Sequence, residues 1–255
     1  MSLALPPDLS WLALSIIIVA VLAGYLMFGA TGFGASILSV PTLAHVLPLV
    51  FVVPLITVVD LFAVTNAALR QWRHVRWAEF GRLLLPAVVG IALGLTLLVQ
   101  MPRDTALLAL GIFTIGFAVH TLRGMRRWRA IRTTWAIPAG VIGGVFSALF
   151  GTGGPIYMAY LASRIEDKTA LRATSSLVIG AVVVARAIAF GFTALWLQPG
   201  LIPLALLLVP CMLAGYALGS HLHGRLALTT IRTWLAGLLI VNGVLLVLRA
   251  THVVR

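Results

Sequence analysis

Apolar residues run along this chain in long blocks interrupted by charge at only a few points. No formal charge falls in the 51 residues between Asp8 and Asp60, and further uncharged runs cover 83–102, 105–122, 133–163, 187–224 and 233–248. A helix crosses about 30 Å of hydrocarbon in roughly 20 residues, so these runs predict repeated membrane crossings. Strands of a membrane barrel would read as segments of about 10 residues alternating in polarity, a pattern these blocks lack. The pattern predicts ten helical elements: 9–28, 35–48, 49–69, 79–99 and 104–122, then 135–150, 154–164, 169–195, 201–221 and 230–248. The second element of each half is too short to cross upright. It either spans or forms one arm of a re-entrant hairpin, so the expected count is eight to ten transmembrane segments.

The two halves carry the same landmarks in the same order. Gly32-Phe33-Gly34-Ala35 aligns with Gly151-Thr152-Gly153-Gly154 at an offset of 119, and Trp77 aligns with Trp196 at the same offset. Gly90 and Gly94 match Gly215 and Gly219 at 125, while Gly111 and Arg123 match Gly237 and Arg249 at 126. These matches predict a duplicated unit of about 120 residues. The first transmembrane repeat, with a basic cytoplasmic linker, covers 1–132 and the second covers 133–255. Five elements per unit is an odd number, so the second copy enters from the opposite face and the repeats are inverted. The expected fold is an all-α polytopic membrane protein of two inverted repeats, with Gly-rich broken helices at the repeat interface.

Composition strengthens the membrane reading. The chain is 61% hydrophobic and 9% charged, with a mean hydropathy of +1.10, against about 25% charged in soluble proteins. The net charge of +12 would suggest nucleic acid in a soluble protein. Here the basic residues sit between apolar runs, where membrane topology explains them, and no nucleic-acid partner is expected. With the N-terminus outside, 14 basic residues fall on cytoplasmic stretches: Arg70, Arg73, Arg76 and Arg82; Arg123, Arg126, Arg127, Arg129 and Arg132; Arg164, Lys168, Arg172, Arg225 and Arg232. Arg103, Arg249 and Arg255 fall outside, and Arg186 lies within a span. This asymmetry predicts an N-terminus outside, and the short loops and compact length fit a bacterial inner membrane, which makes that side periplasmic. Residues 1–8 lack the basic start of a signal peptide, so the first segment is read as a retained helix. The single Cys211 permits no intramolecular disulfide.

Each half interrupts an apolar helix with small residues, Gly29-Ala30-Thr31-Gly32-Phe33-Gly34 in the first and Gly151-Thr152-Gly153-Gly154-Pro155 in the second. Glycine and proline there unwind the helix and free backbone groups, which membranes tolerate only where protein or a wet cavity receives them. A matched pair of broken helices is the pattern of a transporter binding site, with half-helix N-termini facing anionic groups. The competing reading is close helix packing through small residues, the role expected of Gly90-x-x-x-Gly94, Gly140-x-x-x-Gly144 and Gly215-x-x-x-Gly219. The glycines do not form a dinucleotide fingerprint, since no strand precedes them and the third glycine is missing.

Asp60 and Arg186 are the ionisable residues inside predicted spans, each on the third element of its half. A charge at the bilayer centre costs roughly 2.5–3.5 kcal/mol on insertion scales, so each must find a partner or serve a path. Arg186 is a candidate clamp for a carboxylate or sulfonate, since its planar fork matches oxyanions. Asp60 is a candidate proton-coupling carboxylate. The plainer alternative is an Asp60–Arg186 ion pair across the two halves. Candidate substrate-binding residues are Thr31, Gly32, Gly34, Ser36, Gly151, Thr152, Gly153, Gly154, Tyr157 and Arg186; candidate coupling or gating residues are Asp60, Asn66 and Arg172. Tyr160 offers a further neutral partner near the breaks. For Arg172, which opens the helix carrying Arg186, the plain reading is a snorkelling interface residue that sets topology.

At these positions the sequence resembles the sulfite exporter TauE/SafE family of membrane permeases, over nearly the whole chain. Gly29 through Gly34 and on to Val40-Pro41-Thr42-Leu43 is similar to the first family motif. Gly151 to Pro155, followed by Tyr160-Leu161, Asp167-Lys168 and Arg172-Ala173-Thr174, is similar to the second. Ala35 stands where many members carry another Gly, and Pro155 where many carry Gly. The resemblance implies a duplicated multi-helix transporter whose substrates are sulfite, sulfoacetate or related sulfur-containing or organic anions.

The leading reading is therefore a secondary transporter that moves a small anion by alternating access, with protons as a candidate coupling ion. No GxxxxGK[ST] motif is present, so ATP drive is not expected. An intramembrane enzyme would need a nucleophile with a base, a carboxylate pair or a metal cluster, and the sequence offers no HExxH or GxSG. His221-x-His223 is the nearest approach to a metal pair and has no acidic or Cys partner, so no metal or other cofactor is expected. An anion channel or a noncatalytic partner subunit is the alternative function class.

Overall fold

The computed structural model describes residues 9–31, 34–122, 131–222 and 228–251, and their regular structure is entirely helical. Ten helices follow one another among the described residues: α1 (Trp11–Thr31), α2 (Ala35–Leu43), α3 (Leu49–Gln71), α4 (Trp77–Gln100), α5 (Arg103–Leu122), α6 (Ala136–Phe150), α7 (Gly154–Arg164), α8 (Lys168–Gly191), α9 (Leu201–Leu222) and α10 (Leu228–Ala250). The apolar runs thus become helices with boundaries within a few residues of expectation. Two differences have local causes. Helix α2 stops at Leu43 in a turn before Pro48, and α8 stops at Gly191, after which Thr193 caps a short 3-10 turn over Ala194–Leu197.

Six helices among the described residues are long and apolar enough to cross a membrane: α1, α4, α5, α6 with the turn before it, α8 and α9. Helices α3 and α10 are 23 residues each, about 34 Å long, with apolar stretches Leu49–Val64 and Leu235–Ala250. Helices α2 and α7, of 9 and 11 residues, reach only about half the hydrocarbon thickness. Large apolar side chains such as Leu85, Ile112, Ile137 and Val241 remain exposed on the outer faces, as lipid-facing positions do.

Close packing through small residues builds the frame. Gly90 and Gly94 of α4 meet α6 at Val141, Gly144 and Val145 so closely that a Cβ on Gly90 would stand 3.0 Å from the Gly144 Cα. Gly215 and Gly219 of α9 press in the same way on Leu22, Leu26 and Ala30 of α1, and Gly111 of α5 on Gly243 and Val247 of α10. Gly29 belongs to this frame too, lying against Tyr216 and Ser220 of α9. Without a hydrophobic force between helices in lipid, such backbone approach supplies the dispersion contacts that hold them. Helices α3 and α8 pack on each other inside these pairs, and α2 and α7 lie beside them. Each tight pair takes one helix from each half of the chain, so the halves interlock.

Candidate functional site

Both helix breaks reach the same place. Helix α1 ends at Thr31, and Gly34, with φ of 101°, turns the chain into α2. Helix α6 ends at Gly151, with φ of 69°, and α7 opens at Gly154 with Pro155 in its first turn. These left-handed conformations are ones that a side chain resists, which is why glycine occupies both turns. Proline in the first turn of α7 loses nothing, because its missing N–H has no partner inside the helix.

Between the breaks lies a cavity of about 40 Å³, lined by Gly34, Ser36, Asp60, Ser147, Gly151, Thr152, Gly153, Gly154 and Tyr157, with Ile179, Val182 and Val183 of α8 closing the apolar side. A single water needs roughly 10–15 Å³ by this measure, so the space suits a few waters or a small polar solute. Seven of the predicted binding residues and Asp60 are thereby gathered around one space.

Asp60, on α3, is 7% exposed and fully engaged. Its Oδ1 accepts from the Tyr25 hydroxyl at 2.6 Å, and its Oδ2 accepts from Ser36 Oγ at 3.2 Å and from Arg186 Nη2 at 3.2 Å. Arg186, on α8, is 0% exposed and also donates from Nη1 to the Ser147 carbonyl at 2.7 Å. The pair is thus a buried ion pair between the two halves of the chain. Arg186 itself does not line the cavity: Asp60, Ser147 and Gly151 stand in front of it, and a Cβ on Gly151 would lie 3.2 Å from Nη1. In this conformation the guanidinium holds a carboxylate and a carbonyl, the ion pair that the sequence offered as the plainer alternative to an anion clamp.

The other wall offers unused donors. Among the described residues, Thr152 Oγ1, Tyr157 Oη and Arg186 Nε are buried without a hydrogen-bond partner. Thr152 and Tyr157 line the cavity, whereas Arg186 does not; buried polar groups are nearly always paired, so two orphan hydroxyls on one cavity indicate that something else satisfies them. The Tyr157 ring is held between Gly143 and Gly153, where any side chain would collide with it, and this aims its hydroxyl.

Other predicted residues stand elsewhere. Gly32, the side chains of Thr31 and Asn66, and His223 lie outside the described residues. Arg172 is exposed and lies 14 residues, about 21 Å, from Arg186 along α8, so the structure does not bring it to the cavity. Tyr160 also turns away. Its hydroxyl donates at 2.7 Å to Oε2 of Glu79, whose Oε1 accepts from Arg82 at 2.8 Å and Arg164 at 3.3 Å. This cluster ties the far end of α7 to the start of α4. Sequence reasoning missed Glu79, Tyr25 and Ser147. Glu79 is one of only six acidic residues and stands at a predicted membrane boundary, a signal that was legible; Tyr25 and Ser147 look like ordinary polar residues of apolar helices.

The family described as Sulfite exporter TauE/SafE matches residues 16–246. The chain belongs to this family. It is also 32% identical over 181 residues to the "Probable inner membrane transporter protein TsaS" of Comamonas testosteroni, covering 68% of this chain and 72% of that protein. No solved structure matches it. The chain is therefore a multi-pass membrane transporter of the TauE/SafE type, and the cavity between its helix breaks is the natural candidate for the transport site.

Proposed function

We propose that this TauE/SafE protein is a secondary transporter that moves a small oxyanion, a sulfonate, sulfite or carboxylate, through the cavity between the two helix breaks. The observation that carries the reading is the pair of unpartnered hydroxyls, Thr152 Oγ1 and Tyr157 Oη, on the wall of a space of solute size. The first turns of α2 and α7 face the same space through Ser36 and Gly154, and their unpaired N–H groups favour negative charge. Arg186 contributes positive charge from directly behind the wall. Transport proceeds by alternating access, in which the tight helix pairs, each joining the two halves of the chain, move as units about the α3–α8 contact. The distribution of basic residues supports a periplasmic N-terminus, and the inner-membrane relative supports that location for this chain.

The test is uptake into liposomes by purified protein, offered sulfite, sulfoacetate, taurine and short carboxylates, beside Arg186→Ala. Uptake of one anion that Arg186→Ala abolishes supports the reading. Flat traces for every anion from folded protein overturn it, and counterflow without trans-acceleration would turn the carrier into a channel.

A further inference from the structure

Among the described residues, the charged side chain on the cavity wall is an acid. Asp60 lines the space, whereas Arg186, which neutralises it, stands behind. An anion entering this cavity meets a carboxylate first, in a site with no net charge to attract it. We infer that the transported anion is admitted together with one proton, and that the Asp60 carboxylate takes that proton. The inference rests on the transporter reading above and adds the coupling ion and its stoichiometry.

The geometry states what the proton changes. Ionised, Asp60 accepts from Tyr25, Ser36 and Arg186, so its negative charge compensates the guanidinium completely. A proton from the aqueous phase forms an O–H bond on the carboxyl and removes that charge. The site becomes net positive, and Oδ2 no longer holds Arg186 by charge. An anion at the Thr152 and Tyr157 hydroxyls then supplies the lost negative charge, and Arg186 keeps its Ser147 carbonyl throughout. Release reverses both events: the anion leaves, the proton leaves, and Asp60 returns to Arg186. For a monoanion the cycle carries no net charge. A double-negative site, with anion and ionised Asp60 together, is the state that the buried surroundings penalise most.

Among the described residues, no second carboxylate lines the cavity. The titratable and charged groups facing Asp60 are Tyr25 from α1 and Arg186 from α8, with Tyr157 from α7 on the same cavity. Helix α2 and helix α6 face the site with the neutral Ser36 and Ser147. Helices α4, α5 and α9 join α3 through apolar side chains, among them Leu98, Leu110 and Leu208.

Labelled methanesulfonate is the probe, because a sulfonate stays ionised at these pH values and any proton that moves belongs to the protein. Proteoliposomes carry a lumenal pH dye. Counterflow at equal pH on both sides reads the carrier alone. The expected result is counterflow, accumulation driven by an acidic exterior, lumenal acidification in step with uptake at one proton per anion, and indifference to a potassium diffusion potential. Half-saturation rises with pH, by up to about tenfold per pH unit, because one proton binds with each anion. Whatever net uptake Asp60→Asn retains loses its pH dependence and responds to the membrane potential, because the anion then crosses without its proton. The dye measurement on the unaltered protein decides the matter if Asp60→Asn does not fold. Counterflow with no acidification, or accumulation that follows a sodium gradient instead, overturns the proton inference and leaves the transporter standing. Absence of methanesulfonate counterflow overturns both for sulfonates.

Discussion

The two helix breaks use the same device and do opposite work. Each break holds a left-handed glycine, Gly34 just before α2 and Gly151 just after α6, and each leads into a half-helix whose first turn lines the cavity. At the first break the polar groups are consumed: Ser36 and Tyr25 both donate to Asp60. At the second they are left open, with Thr152 and Tyr157 unpartnered. The far ends differ as well. Helix α2 is held to α10 by Arg249 on the His45 carbonyl at 2.5 Å and by the contact of Thr42 with Asn242 at 3.4 Å, whereas α7 is held to α4 by the charged Glu79 cluster. The same backbone feature thus lies beside a bonded acceptor at the first break and beside unpartnered donors at the second, and neighbouring helices decide which.

The largest expected effect comes from cutting the link between the two sides. Arg186→Ala leaves Asp60 buried without its counter-charge, a loss on the order of 3–5 kcal/mol when one partner of a buried pair is removed. Thermal unfolding in detergent should show a large drop in Tm, and uptake should vanish. Restored stability in Asp60→Asn/Arg186→Met would confirm that the loss is uncompensated charge; an unstable double variant would place it in packing instead.

Next is Glu79→Gln, which weakens the anchor of α7. The amide cannot match the carboxylate toward Arg82, Arg164 and Tyr160 at once, so a destabilisation of about 1–3 kcal/mol is expected. Substituting Asn242→Ala at the α2 anchor should cost less, since a neutral contact is lost there. Equal drops in Tm for the two would erase the contrast between the anchors.

The sharpest test compares two tyrosines. Tyr25→Phe removes a buried donor from Asp60 and should cost about 1–2 kcal/mol of stability. Tyr157→Phe removes a hydroxyl with no partner in the protein, so Tm should hold or rise while the half-saturation constant for the transported anion rises about tenfold, worth roughly 1.4 kcal/mol. A Tm loss in Tyr157→Phe with unchanged transport would move Tyr157 out of the site.

The smallest effects belong to the turns. Gly34→Ala and Gly151→Ala each force a side chain into a left-handed turn at about 1–2 kcal/mol. A Cβ on Gly34 meets only Ile37 at 3.9 Å, whereas one on Gly151 stands 3.2 Å from Arg186 and 3.3 Å from Ser36. Gly151→Ala is therefore expected to lose somewhat more stability than Gly34→Ala, with transport impaired in Gly151→Ala alone.

The residue order by itself determined the membrane class, the ten helices and their approximate limits, because an uncharged run of spanning length has few alternatives in a bilayer. It also determined where the helices break, since glycine and proline act locally, and it marked Asp60 and Arg186 as the costly charges needing an explanation. Partner choice was not legible. That Arg186 holds Asp60 and the Ser147 carbonyl behind the wall, that Tyr25 joins them, and that Glu79 gathers Tyr160 and Arg164 all depend on helices brought together from distant parts of the chain. Sequence distance carries no information about such contacts; helix packing through glycine pairs does, and it sets which polar groups end in a bond and which face an empty space.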